Sequence, residues 1–148
     1  MIDSLPRRSA SRPGADVARE LPGSSAVLAA FRTLPAHPGS NAFLFEAANA
    51  LVTLHRRALL SGGGAVSARL DGERAALIRR IDAWAGGRST ELRESLGGMV
   101  DRLAELWLVA LASPGAAQSE AREALWQLAD LADTYDNVVL GRPRRRTR

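Results

Sequence analysis

Apolar residues recur at steps of three and four along four long stretches of the sequence, and glycine or proline separates one stretch from the next. This is the spacing of an amphipathic helix, whereas no stretch keeps the alternation that is typical of a β-strand. We therefore predict an all-α chain, arranged as an up-down four-helix bundle with a short extra helix on the N-terminal side. The predicted helices cover residues 24–34, 40–60, 68–85, 96–112 and 118–140.

The predicted helix 96–112 is the most apolar of the set, so it should lie at the centre of the bundle. In an up-down bundle neighbouring helices run in opposite directions, which decides which polar residues can meet. His55 and Arg74 are expected towards one end of the bundle and Asp101 towards the other. Because a helix of twenty residues is about 30 Å long, we expect no contact between His55 and Asp101.

Charge and composition divide the chain into three parts. We predict a disordered arm over residues 1–22, a helical bundle domain over 23–141, and a disordered basic tail over 142–148. Cysteine is absent, which excludes a disulfide scaffold and thiolate metal sites. The sequence shows neither a signal peptide nor the roughly 20 apolar residues of a membrane span. We therefore expect a cytoplasmic protein that does not associate with membranes.

The tail is the most concentrated charge in the sequence. It holds five arginines and no acid, whereas residues 23–141 hold eleven arginines and thirteen acids. Such a tail can neutralise phosphates without reading a base sequence, or it can simply keep the chain soluble. The candidate nucleic-acid residues are Arg142, Arg144, Arg145, Arg146 and Arg148.

A second group of polar residues is expected to meet at one end of the bundle. A charge at Arg102, which shares a helix face with apolar neighbours, needs a partner, and Asp82 and Asp101 are the candidates. The group admits two interpretations: a structural ion-pair network between two helices, or a pocket for a phosphorylated small molecule. The candidate ligand-binding residues are Arg80, Asp82, Asp101, Arg102, Tyr135 and Asp136.

No set of residues assembles a catalytic site, and no cofactor or metal site is predicted. His55 lies at the edge of an apolar stripe, and the sequence identifies no nucleophile as its catalytic partner. A di-iron bundle would need a glutamate three residues before the histidine, where Val52 stands. Glutamate pairs with the spacing of all-helical nucleotide pyrophosphatases occur only in a predicted loop and at a helix start.

The sequence therefore favours a non-enzymatic interaction or accessory protein over an enzyme. Its partner would be another protein or a second copy of the chain, bound through an exposed helix face. Trp126, with Asp130 and Asp133, forms a solvated helix face that carries one aromatic residue and is a candidate partner contact.

The motifs at Arg80–Asp82, Leu96–Leu103, Leu128–Asp136 and Gly141–Arg142 resemble the bacterial family called domain of unknown function 4254. The resemblance covers about residues 41–144, and its most specific part is the Gly-x-x-x-Asp-Arg-Leu element that ends at Leu103. It implies an all-helical fold without an established activity. The chain departs from the family pattern at residues 104–109 and in its short arginine tail.

Overall fold

The regular structure of this chain is helical throughout the part that can be described. The computed structural model describes residues 21–86, 95–112 and 118–140, and every regular element in these ranges is a helix, which confirms the all-α prediction. The elements are α1 (Ser24–Arg32), a 3-10 turn (Gly39–Asn41), α2 (Ala42–Ser61), α3 (Gly64–Ala85), α4 (Leu96–Trp107) with a π-helical turn (Leu108–Ala112), and α5 (Gln118–Val139). None of these helices has the combined length and apolar character that crossing a membrane requires.

The connection between α2 and α3 is shorter than the sequence predicts. Gly62 ends α2 in the left-handed conformation, with a φ of 75°, a backbone region that glycine enters without a steric penalty. From the sequence, the three glycines at 62–64 were expected to separate the two helices, and the second helix was expected to begin at residue 68. Instead α3 begins at Gly64, and Asp71 and Gly72 lie inside it.

Helix α4 is the centre of the packing, as its apolar sequence predicts. Eight of its twelve residues are buried, and it contacts α1, α2, α3 and α5. Its π-helical turn continues the same surface towards α5. The outer helices are buried far less, with only three of 22 residues buried in α3 and five of 22 in α5.

Helix α1 packs against α2, α4 and α5. The Asp136 carboxylate of α5 accepts hydrogen bonds from the Ser24 amide at 2.7 Å and from the Ser24 hydroxyl at 2.8 Å. This satisfies an amide that the first turn of a helix leaves unpaired. Tyr135 donates its hydroxyl proton to the Pro22 carbonyl oxygen at 2.9 Å, and Leu21 is buried. Residues 21 and 22 therefore belong with the helical domain and not with the predicted arm.

Candidate functional site

A buried carboxylate joins the three helices α2, α3 and α4. The Asp101 Oδ1 atom lies 2.8 Å from Nε2 of His55 and accepts a hydrogen bond from Nε of Arg74 at 3.0 Å. Since a carboxylate can only accept, the imidazole N–H is the donor. Arg74 also reaches the exposed Asp71 carboxylate, with 2.8 Å between Nη1 and Oδ1. The array thus runs from the core to the surface, and Asp101 is 5% exposed.

The contact between His55 and Asp101 overturns the expectation that they lie at opposite ends of the molecule. The cause is the height at which α4 starts. Gly97 packs directly on the Ile78 carbonyl oxygen of α3, so α4 begins about two turns before the end of α3 at Ala85. Asp101 lies four residues further along α4, which corresponds to a rise of about 6 Å along the helix axis. This rise places Asp101 at the level of Arg74 and His55.

Asp101 stays ionised despite its burial. Burial raises the pKa of its carboxyl group, but the hydrogen bond from His55 and the charges of His55 and Arg74 outweigh it and hold the pKa below its ordinary value of 3.8. A carboxylate in this state is a poor general base near neutral pH, where catalysis favours a pKa close to the working pH. In this state the Asp101 carboxylate fixes the positions of the His55 imidazole and the Arg74 guanidinium.

The other predicted ligand-binding residues on α3 and α4 are Arg80, Asp82 and Arg102, and their surroundings differ from one another. Asp82 accepts a hydrogen bond from the Gly97 amide at 2.7 Å and so caps the first turn of α4. Arg80 is exposed and holds its guanidinium 5.5 Å from the centre of the Phe43 ring. Arg102 is exposed, so the buried arginine charge expected on α4 is not there. The buried charge belongs to Asp101, which pairs with His55 and Arg74.

Tyr135 and Asp136 act on a different part of the fold, the start of α1. Burial, followed by the charge of Asp136, raises the pKa of the Tyr135 hydroxyl, which therefore stays protonated as a donor to Pro22. Both carboxylate oxygens of Asp136 accept from Ser24. Five of the six predicted residues are thus distributed among four places: the Phe43 ring, the first turn of α4, the Asp101 array and the start of α1. The sixth, Arg102, lies exposed on α4. The five arginines of the tail lie outside the described residues.

The sequence interpretation missed a groove between α2 and α3. It has a volume of 510 Å³ and is lined by Ala50, Thr53, Leu54, Arg57, Glu73, Ala76, Leu77 and Arg80. The groove exists because small side chains, Ala50 and Ala76, stand on neighbouring helices and leave the space between them unfilled. Its floor is apolar, and three charged side chains line it. The one signal in the sequence was the weak apolar stripe of α3.

Within residues 21–86, 95–112 and 118–140, no group of three or more His, Asp or Glu side chains is placed to hold a metal ion. No protein-family model, curated protein or solved structure matches this chain.

Proposed function

We propose that this chain is a non-enzymatic interaction protein of the cytoplasm that works as a homodimer, with α3 and the α2–α3 groove as its dimer interface. The observation that carries the proposal is the order of side chains along the groove face of α3. Glu73 and Arg80 stand seven residues apart, and Ala76 and Leu77 lie between them. This order is self-complementary, which is what an interface between two identical surfaces requires.

A two-fold axis between Ala76 and Leu77 would set the two α3 helices side by side in opposite directions. Glu73 would then face the partner's Arg80, and Arg80 would face the partner's Glu73. The small Ala76 at the centre lets the helix axes approach to the 8–10 Å of ordinary helix packing. Each α3 would rest in the groove of the other copy.

The position of the Arg80 side chain favours a contact with Glu73 of the second copy. Its guanidinium lies against the Phe43 ring, and a planar guanidinium that packs on an aromatic ring keeps its N–H groups available for a carboxylate. Exposed ion pairs contribute only about 0.2–1 kcal/mol each. The apolar floor of the groove would therefore supply most of the affinity, and the charges would fix the orientation.

The proposal includes the up-down arrangement of α2 to α5. Two observations support it. The two-residue connection Gly62–Gly63 between α2 and α3 is typical of antiparallel neighbours, and consecutive helices from α2 to α5 contact one another. In this arrangement α1 fills the side between α2 and α5. Among the described residues no contact joins α2 directly to α5.

A charge exchange tests the interface. Glu73→Arg and Arg80→Glu should each weaken the dimer, because each places like charges opposite one another, whereas the double variant should restore it. Light scattering after gel filtration, over a range of protein concentrations, gives the mass. Arg79→Glu is the matched control, since it makes the same charge change on the same helix but lies outside the groove.

Wild-type protein that remains monomeric at every concentration would overturn the proposal. So would a double variant no more dimeric than the single variants, or an Arg79→Glu protein as impaired as Arg80→Glu. The last result would mean that the charge of α3 matters and its position does not.

A further inference from the structure

The second unusual surface of the molecule is the outer face of α5. Trp126 is 71% exposed, and with Gln127, Ala129, Asp130 and Asp133 it lines a shallow groove of 580 Å³. Helical spacing places Trp126 opposite the buried stripe that includes Leu128 and Tyr135. An indole in the middle of a solvent face contributes nothing to the core, so its role must be sought outside the core.

This face continues towards the end of the helix. Trp126, Asp130, Asp133 and Asn137 follow one another at steps of four, three and four, which forms one strip along α5. The strip leads to Leu140, the last described residue, which is 54% exposed. The arginine tail follows in the sequence after Gly141.

The tail is long enough to return along this strip. Trp126 lies about 20 Å from the end of α5 at 1.5 Å per residue, and seven extended residues reach about 23–25 Å. Gly141 can adopt the left-handed backbone that a reversal after a helix requires. Asp133, about 9 Å from the end of α5, would be met before Trp126.

The chemistry of the two surfaces is complementary. The strip carries the two carboxylates of Asp130 and Asp133, whereas residues 142–148 carry five arginines and no acid. Guanidinium groups pair with carboxylates through two parallel hydrogen bonds and stack on indole rings. Arg122, one turn before Trp126, ends the acidic strip and would keep the tail from extending further along the helix.

We propose that residues 142–148 fold back on their own chain and dock on the strip formed by Trp126, Asp130 and Asp133. Arginine side chains cover the indole and pair with the two aspartates. The strip lies on α5, which has no contact with α3 in the described part of the chain. The docking therefore does not depend on the proposed dimer interface.

Quenching of tryptophan fluorescence by acrylamide tests this docking in the full chain. Of the three tryptophans, Trp107 is buried and Trp84 is half-buried, so changes in quenching report mainly on Trp126. Replacing the five tail arginines by glutamine should increase quenching. High salt should increase it in the wild-type protein, because screening weakens the ion pairs. The matched control replaces Arg7, Arg8, Arg12 and Arg19 by glutamine and should leave quenching unchanged.

The double variant Asp130→Asn/Asp133→Asn should reproduce the increase from the other side of the contact, whereas Glu105→Gln on α4 should not. Equal quenching of the wild-type and tail variants would overturn the proposal, and so would an equal response in the arm control. Protection of Trp126 that disappears on dilution would show that the tail comes from a second copy, which also overturns docking within one chain.

Discussion

Among single residues, Asp101 carries the largest electrostatic consequence. Its carboxylate is buried and ionised, and its partners are His55 and Arg74. A buried charge of this kind is tolerated only while its partners remain, because a charge left unpaired in the interior is strongly destabilising. The residue therefore joins three helices at the expense of making the fold dependent on its protonation state.

The pKa of Asp101 gives this dependence a direction. Because the folded state lowers the pKa below 3.8, the stabilisation is present above pH 3.8 and is lost as the pH falls through the lower folded value. We expect Asp101→Asn to lower the free energy of unfolding near pH 7 by about 1–3 kcal/mol. The difference from the wild type should shrink below pH 3.8. Urea unfolding at a series of pH values measures both effects.

Asp71→Asn is the matched control for this prediction. The Asp71 carboxylate binds the same arginine, but its side chain is 63% exposed, where ion pairs contribute about 0–1 kcal/mol. A loss of stability as large as that of Asp101→Asn, or an Asp101→Asn difference that persists in acid, would contradict the role given to the buried carboxylate.

At the scale of helices, the contact between α3 and the start of α4 determines the position of α4 along the axis of α3, and with it the level of every residue of α4. Gly97 makes this contact possible, because a Cβ atom there would collide with the Ile78 carbonyl oxygen, which belongs to the backbone and cannot turn away. We expect Gly97→Ala to destabilise the fold by about 1–3 kcal/mol, the usual cost of an overpacked contact. Thermal unfolding followed by circular dichroism measures the loss.

Gly72→Ala is the comparison for Gly97→Ala. Gly72 lies inside α3 with open space where its Cβ would be, so alanine should raise stability there by about 0.5–1 kcal/mol. The prediction requires opposite signs for the two substitutions. If Gly97→Ala also stabilised the protein, the helices would be free to move apart and the fixed height of α4 would be wrong.

The sequence predicted the helices well because the 3.6-residue period of their apolar positions is a local property. It predicted the central place of α4 for the same reason. It placed Asp101 at the wrong height because the offset between two helices depends on Gly97 meeting Ile78, which no local pattern records. The α2–α3 groove was missed on similar grounds, since Ala50 and Ala76 leave a space only when their helices lie side by side.

At the scale of the whole molecule, the two proposed binding surfaces lie on α3 and α5, the long helices with the fewest buried residues. The groove face of α3 has balanced, self-complementary charges, and the outer face of α5 is acidic with one exposed indole. These helices do not contact each other in the described ranges. The first surface suits a second copy of the chain, and the second suits the arginine tail, so both can be occupied at once.

Dimer formation through α3 also predicts how stability depends on concentration. If the native state is a dimer and the unfolded chain is not, mass action favours folding as protein concentration rises. A tenfold increase in protein concentration would add about 0.7 kcal/mol per chain to the free energy of unfolding. This is half of the free energy that a tenfold change in concentration contributes for the two chains of a dimer together. For a chain of this size, that gain raises the melting temperature by about 2–4 °C.

Calorimetry over a hundredfold concentration range should therefore show a rising melting temperature for the wild type and for the Glu73→Arg/Arg80→Glu double variant. The melting temperatures of the two single variants should begin to rise only at higher concentrations, because their weaker dimers dissociate more readily on dilution. A constant melting temperature for the wild type, at concentrations where light scattering reports a dimer, would mean that the two copies separate before they unfold. The dimer would then be an association of independently stable monomers, and α3 would contribute to partner binding without stabilising the fold.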